Sequence, residues 1–181
     1  MNPHKWYEHG RFDPAGRAAW QERVAQDHPE VNAVYPPGFW KGYAQFCAGD
    51  ASKLEIAVAF LEADPYVFGS GCVKEDFIHA LKHMDLPPSA LQRLQRVVLS
   101  VVDTRDGREF RDYCRLARRV NSPALREQLR QRLTRARPSA QSVTDDQPDL
   151  LPAIRQDRAI RRRARWVLEA LGENQAEEKR P

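Results

Sequence analysis

The sequence predicts an all-α fold, and three observations support this prediction. The good helix formers Ala, Leu, Arg, Gln and Glu dominate the composition of the 181 residues. β-branched residues, which favour strands, are sparse outside Val97-Val98 and Val101-Val102. No stretch alternates between apolar and polar residues with the period of two that is typical of an amphipathic strand.

Capping residues and helix breakers place each helix along the chain. Proline and glycine lie between the helical stretches, and Asp13, Asp50 and Ser122 stand where side chains cap helix starts. The predicted helices span residues 13–27, 38–47, 51–63, 73–84, 88–102, 107–120, 123–136 and 150–172. Residues 137–149 lack aromatic and large aliphatic side chains except Val143, so we interpret them as a linker, and we interpret residues 173–181 as a disordered tail.

Residues 1–37 are predicted to contain one helix and to act as a capping segment for the helices that follow. Aromatic side chains are dense in and just after this segment, namely Trp6, Tyr7, Phe12, Trp20, Tyr35, Phe39 and Trp40. An aromatic segment that packs over the first helices would cover an otherwise open end of the core. The alternative is that these side chains form an exposed groove for a peptide.

The six middle helices repeat at a nearly constant interval. They pair as 38–47 with 51–63, 73–84 with 88–102, and 107–120 with 123–136, and the second members begin at Ala51, Pro88 and Pro123, which are 37 and then 35 residues apart. In period and helix length, residues 38–136 resemble the α-solenoid proteins of the HEAT and armadillo type. The resemblance implies stacked antiparallel helical hairpins, followed here by an extra C-terminal helix. The alternative is an irregular helical bundle, in which short loops alone produce near-equal spacings.

Charge is distributed unevenly along the chain. The net charge of +4 divides into −4 for residues 1–86 and +8 for residues 87–181. Lys179 is the only lysine of the second half, whose other cationic side chains are arginines. Arginine presents a planar fork of donors that matches carboxylates and phosphates, so this half of the chain is the candidate binding region.

Two arginine stripes are the candidate binding residues. Helical spacing places the first on the helices at 107–120 and 123–136, with Arg108, Arg111, Arg115, Arg118, Arg119, Arg126 and Arg130. The second lies on the C-terminal helix and consists of Arg155, Arg158, Arg162, Arg165 and the neighbouring Trp166. The alternative for both is a solvated face in a protein from a GC-rich genome, where arginine replaces lysine.

Catalytic and metal-binding signatures are missing from the sequence. There is no Gly-x-Ser-x-Gly elbow, no P-loop and no Gly-x-Gly-x-x-Gly after a strand. His79 and His83 stand four residues apart near Asp76 and Cys72, but neither an HExxH nor a CxxC motif accompanies them. We therefore predict no enzyme activity, no metal and no cofactor.

The expected location is the cytoplasm. No signal peptide and no apolar stretch long enough to span a membrane is found in the sequence. The odd number of cysteines, Cys47, Cys72 and Cys114, predicts reduced core thiols and not a disulfide framework.

The predicted function is that of a non-enzymatic binding module. In this hypothesis an arginine-rich helical face holds an acidic protein partner, as in an adaptor or a toxin-neutralising protein of a bacterium. The alternative is a nucleic-acid-binding protein that contacts phosphates through the same stripes. Nothing in the sequence specifies the oligomeric state or the identity of the partner.

Overall fold

The protein has an all-α fold of packed helices, which confirms the predicted class. The computed structural model describes residues 16, 19, 22, 23, 26 and 35–173, except 68, 106–109 and 135–149, with the backbone alone at 150 and 151. Within these ranges there is no strand, and the helices with described bounds are α1 (Phe39–Cys47), α2 (Leu54–Ala63), α3 (Ser70–Leu81), α4 (Pro88–Thr104), α5 (Phe110–Arg119), α6 (Pro123–Thr134) and α7 (Leu150–Ala170). The predicted linker, the tail after Glu173 and most of the N-terminal capping segment lie outside the described residues.

Most helix boundaries agree with the sequence prediction to within three residues. Ser122 caps α6 as expected, since its Oγ accepts the Leu125 N–H at 3.1 Å. Asp50 caps a 3₁₀ turn, Ala51–Lys53, that leads into α2, and its Oδ1 accepts the Ser52 N–H at 2.9 Å. At the C-terminal end, Gly172 adopts the left-handed conformation that terminates α7, with φ of 86°.

The start of α3 differs from the prediction. The helix begins at Ser70, three residues before the expected start at Val73, because Gly69 adopts φ of 79° and turns the chain directly into the helix. Ser70 is buried, and its Oγ accepts the Val67 N–H at 3.2 Å. Ser70 and Gly71 therefore belong to the first turn of α3, and Gly69 is its N-cap.

The chain divides into two compact units, residues 1–90 and 91–181. In the first unit α1 packs against both α2 and α3. Its centre is aromatic: the Phe77 ring of α3 lies 5.4 to 6.1 Å, centroid to centroid, from the rings of Phe39, Tyr43, Phe46 and Phe60.

Three aromatic residues of the predicted capping region belong to this core. Tyr35, Phe39 and Trp40 are only 3%, 5% and 6% exposed. Tyr35 and Trp40 contact each other, with ring centroids 4.5 Å apart. The alternative of an exposed peptide groove is therefore wrong for these three side chains, and Trp6, Tyr7, Phe12 and Trp20 lie outside the described residues.

In the second unit α7 docks on two earlier helices, a packing that the sequence left open. It packs against α5 and α6. Ile160, Ala164, Val167 and Leu168 recur at steps that share one side of the helix, and all four are buried on its inner side. The outer side of α7 is thereby turned to solvent.

The three cysteines are free thiols, but the prediction that all are core residues is wrong. Cys72 is exposed on α3, whereas Cys47 and Cys114 are half-buried. The apolar neighbours of Cys72 in the sequence are compatible with either side of α3, because one residue corresponds to a rotation of about 100° around a helix.

We expect Cys72 and Cys114 to differ in their reaction with iodoacetamide. Burial raises the pKa of the Cys114 thiol to about 11, against the weaker opposing effect of Arg118. At pH 8 the thiolate is therefore a minor species, and Cys114 should be alkylated about 100-fold more slowly than the exposed Cys72. The rate at Cys114 should rise steadily as the pH approaches 11.

Peptide mass spectrometry of the native protein would measure both rates. Unfolding in urea provides the control, because both thiols should then react at similar rates. Equal rates in the native protein would contradict the burial of Cys114.

Candidate functional site

One side of α7 presents a row of arginines to solvent. Arg155, Arg158, Arg162 and Arg165 recur at steps of three and four residues, so they share one face of the helix, and all four are exposed. We call these four residues together with Trp166 the α7 arginine face. Because the opposite side of α7 is buried against α5 and α6, the orientation of this face is fixed by packing.

Trp166 lies at the edge of this face and is partly open. Its side chain is 43% exposed, while its ring packs against Phe110 of α5 with centroids 5.9 Å apart. The guanidinium carbon of Arg162 lies 5.1 Å from the centroid of the Trp166 ring, within the range of a cation–π contact. An aromatic ring that packs on one side and is solvated on the other can bury its exposed side against a binding partner.

Three of the four arginines of the α7 arginine face carry a charge that no described acid neutralises through an ion pair. Among the described residues, no ion pair involves Arg155, Arg158 or Arg165. Asp157, the nearest acid in the sequence, is only partly exposed and pairs with Arg161 on the same helix. Glu169 is exposed four residues after Arg165 and lowers the net charge of the row by one. A positive potential remains along about three helical turns, which favours anionic ligands.

The arginines of α5 are less available to solvent than those of the α7 arginine face. Arg111 is exposed, but Arg115 pairs with Asp112 at 2.5 Å, and the Nε of Arg118 donates to the Ala170 carbonyl at 2.8 Å. Arg119 is half-buried. Arg108 lies outside the described residues. The stripe predicted on this helix is therefore only partly available to solvent.

The arginines of α6 hold the C-terminal end of α7. Arg126 donates to the Leu171 carbonyl at 2.9 Å and to Glu173 Oε1 at 2.8 Å, and Arg130 donates to Glu173 Oε1 at 2.7 Å. Desolvation acts to raise the pKa of Glu173, but the hydrogen bonds from Arg126 and Arg130 outweigh it and lower that pKa. The positive charge that the first arginine stripe contributes on α6 is thus neutralised in part by a carboxylate of the same unit.

The sequence analysis did not identify Arg163 as a buried arginine of the second unit. Arg163 is 1% exposed, and its guanidinium donates to the carbonyls of Val102 at 2.7 Å and Asp103 at 3.3 Å, at the end of α4. Gln156 donates to the same Asp103 carbonyl at 2.8 Å. The signal was available in the helical spacing, because residue 163 falls among the buried positions 160, 164 and 167.

The side chain of Asp103 completes this junction. Arg132 of α6 binds its carboxylate with both arms of the guanidinium fork, with Nε–Oδ1 of 2.8 Å and Nη2–Oδ2 of 2.6 Å. α4, α6 and α7 are therefore joined at one point by charged and polar groups.

The histidine pair does not form part of a metal site in the described structure. The rings of His79 and His83 lie 5.6 Å apart on α3. In the part of the chain that the structure describes, no group of three or more His, Cys, Asp or Glu side chains is placed to bind a metal. None of the helices in that part is long and apolar enough to cross a membrane.

Comparisons with known proteins assign this chain to no family. No protein-family model matches the chain, and the comparisons with the curated proteins and with the solved structures found no match.

Proposed function

We propose that this protein is a non-enzymatic binding module that holds an acidic protein partner on the α7 arginine face. The observation that carries the proposal is the exposure of Arg155, Arg158, Arg162 and Arg165 in one row beside the half-exposed Trp166. Such a module suits an adaptor or a toxin-neutralising protein of the bacterial cytoplasm.

The chemistry of the face fits a carboxylate-rich protein surface. Guanidinium groups bind carboxylates through two parallel hydrogen bonds, which gives both attraction and orientation. Tryptophan and arginine are the side chains that most often dominate the binding energy of protein interfaces. Because α7 is braced by α5 and α6, little ordering of the helix itself is required on binding.

The scaffold of this module is proposed to be a stack of helical hairpins. α1 packs against α2, as the first hairpin requires. In the second unit, Gln95 of α4 donates to the Val120 carbonyl at 2.8 Å and to Ser122 Oγ at 3.1 Å, at the turn between α5 and α6. In stacked repeats each helical pair contacts its neighbouring pairs, and a contact between α4 and the turn of the following pair fits that arrangement.

Phosphate binding is the second candidate, favoured by Trp166 in particular. An exposed aromatic ring beside arginines can stack on an unpaired base, and arginine rows bind phosphates. The two candidates differ in salt dependence. Binding to duplex DNA should weaken with a log–log slope of about −0.9 per phosphate contacted, whereas a protein interface that buries the Trp166 ring should be less sensitive to salt.

We expect reversal of two charges on the face to weaken binding of an acidic peptide by about 10-fold or more, while the fold is retained. The variant is Arg158→Glu with Arg165→Glu, both exposed and outside any described ion pair. The measurement is fluorescence anisotropy of a labelled glutamate-rich peptide, and of a short DNA duplex, each over a salt series.

The matched control carries the same charge change elsewhere. Arg23→Glu with Lys41→Glu reverses two exposed cations of the first unit and should change peptide affinity by much less. Circular dichroism of both variants checks the helix content. If the two variants lose affinity equally, net charge and not the α7 arginine face determines binding, and the proposed function is wrong.

A further inference from the structure

Arg126 and Arg130 hold a carboxylate group in a geometry that a partner could use. The Glu173 carboxylate receives hydrogen bonds from Arg126 at 2.8 Å and from Arg130 at 2.7 and 3.2 Å. Arg126 is itself oriented by Asn121, whose Oδ1 accepts from its Nε at 2.9 Å. Two guanidinium groups thus converge on one carboxylate, and one of them is fixed by a neighbouring side chain.

Space for a second ligand lies next to this contact. A cavity of about 320 Å³ that is open to solvent is lined by Asn121, Ser122, Pro123, Arg126 and Arg130. The side chain of Arg130 is half-exposed, so it can be reached from the cavity. An incoming anion would therefore meet the same two arginines that now bind Glu173.

The contact with Glu173 is also easily exchanged. Its side chain is 26% exposed, and that of Arg130 is 50% exposed. Ion pairs at this exposure contribute little net stability, because each partner is well solvated when the pair opens. Carboxylate exchange at Arg130 would leave the hydrogen bond from Arg126 to the Leu171 carbonyl in place, so α7 would stay docked.

We propose that Arg126 and Arg130 form a carboxylate-binding site that Glu173 occupies in the free protein, and that an acidic peptide segment displaces Glu173 from it. The site is separate from the α7 arginine face and rests on the proposed function only for the class of partner. Glu173 acts as an internal competitor. The apparent affinity of the free protein for an acidic segment is therefore proportional to the fraction of molecules in which Glu173 has left the two arginines.

The test compares binding of a labelled oligoglutamate peptide to the full chain and to Glu173→Gln at low salt. Removal of the internal carboxylate should raise the affinity about 5-fold, because it releases the two partly exposed ion pairs that compete with the peptide. The additional change Arg130→Gln should abolish this gain. Glu173→Ala provides a second variant with the same expected result.

Two outcomes would overturn the proposal. Unchanged peptide affinity in both Glu173 variants would mean that the pair is a surface contact with no role in binding. A larger gain for a DNA duplex than for the peptide would contradict the assignment to carboxylates. Glu173→Gln is also combined with Arg158→Glu and Arg165→Glu, which distinguishes this proposal from the proposed function. The gain in affinity from Glu173→Gln should persist even if the two charge reversals have no effect on peptide binding.

Discussion

Replacement of Arg163 with methionine is expected to lower the free energy of unfolding of the protein by about 3 kcal/mol, and Tm by about 10 °C. Methionine keeps much of the side-chain volume but removes the donors to the Val102 and Asp103 carbonyls, 2.7 and 3.3 Å away. Arg163 is 1% exposed, so water cannot replace those donors without opening the helix contact. The lost cation also no longer stabilises the negative end of the α4 dipole.

The same substitution elsewhere on α7 provides the control. Arg158→Met changes an exposed position of the same helix and should shift Tm by no more than about 1 °C. Arg163→Lys should fall between the two, since an ammonium group keeps the charge but lacks the planar fork. Thermal and urea unfolding followed by circular dichroism measures all three, and a wild-type Tm for Arg163→Met would show that Arg163 does not hold α4 and α7 together.

Helices and their inner faces could be predicted from the sequence because their signals are local. A cap such as Ser122 acts within three residues, and the spacing of Ile160, Ala164 and Val167 is set by the pitch of one helix. These signals do not depend on which helices pack together. The start of α3 was misplaced because the left-handed Gly69 and the Ser70 hydrogen bond to Val67 N–H are features of loop geometry.

Arginine partners could not be predicted, since they depend on contacts between distant parts of the chain. Arg118 reaches a carbonyl 52 residues away, and Arg163 reaches one 61 residues away. Sequence polarity places every arginine at the surface by default. The structure separates the α7 arginine face, which is exposed, from Arg126 and Arg130, which already bind Glu173. From the sequence alone, the two arginine stripes are equivalent candidates for a binding surface.

Two acidic residues near the loop before α3 make contacts between helices. Asp76 is 2% exposed and accepts a hydrogen bond from the Tyr43 hydroxyl at 2.5 Å. Asp64 follows α2 in the left-handed region, with φ of 43°, and binds Lys74 Nζ at 2.6 Å. The first contact joins residues 33 positions apart and the second joins residues 10 positions apart across a loop, so the periodicity within one helix gives no indication of either.

The ion pair of Lys74 with Asp64 leads to a second large expected effect. Lys74→Met should lower the free energy of unfolding by about 2 kcal/mol, because Lys74 is 1% exposed and its loss leaves the Asp64 carboxylate without this partner. The cost should be below that of a fully buried pair, since 22% of the Asp64 side chain is exposed and can be rehydrated.

A double-mutant cycle distinguishes loss of the ion pair from loss of packing. Asparagine tolerates the left-handed backbone of residue 64, so Asp64→Asn removes the charge without backbone strain. The double variant Lys74→Met with Asp64→Asn should cost less than Lys74→Met alone, with a coupling energy of about 1 kcal/mol in urea unfolding. If the two costs simply add, the stem of Lys74 and not its charge stabilises α3. The ion pair would then be a consequence of the fold, with no part in holding α2 and α3 together.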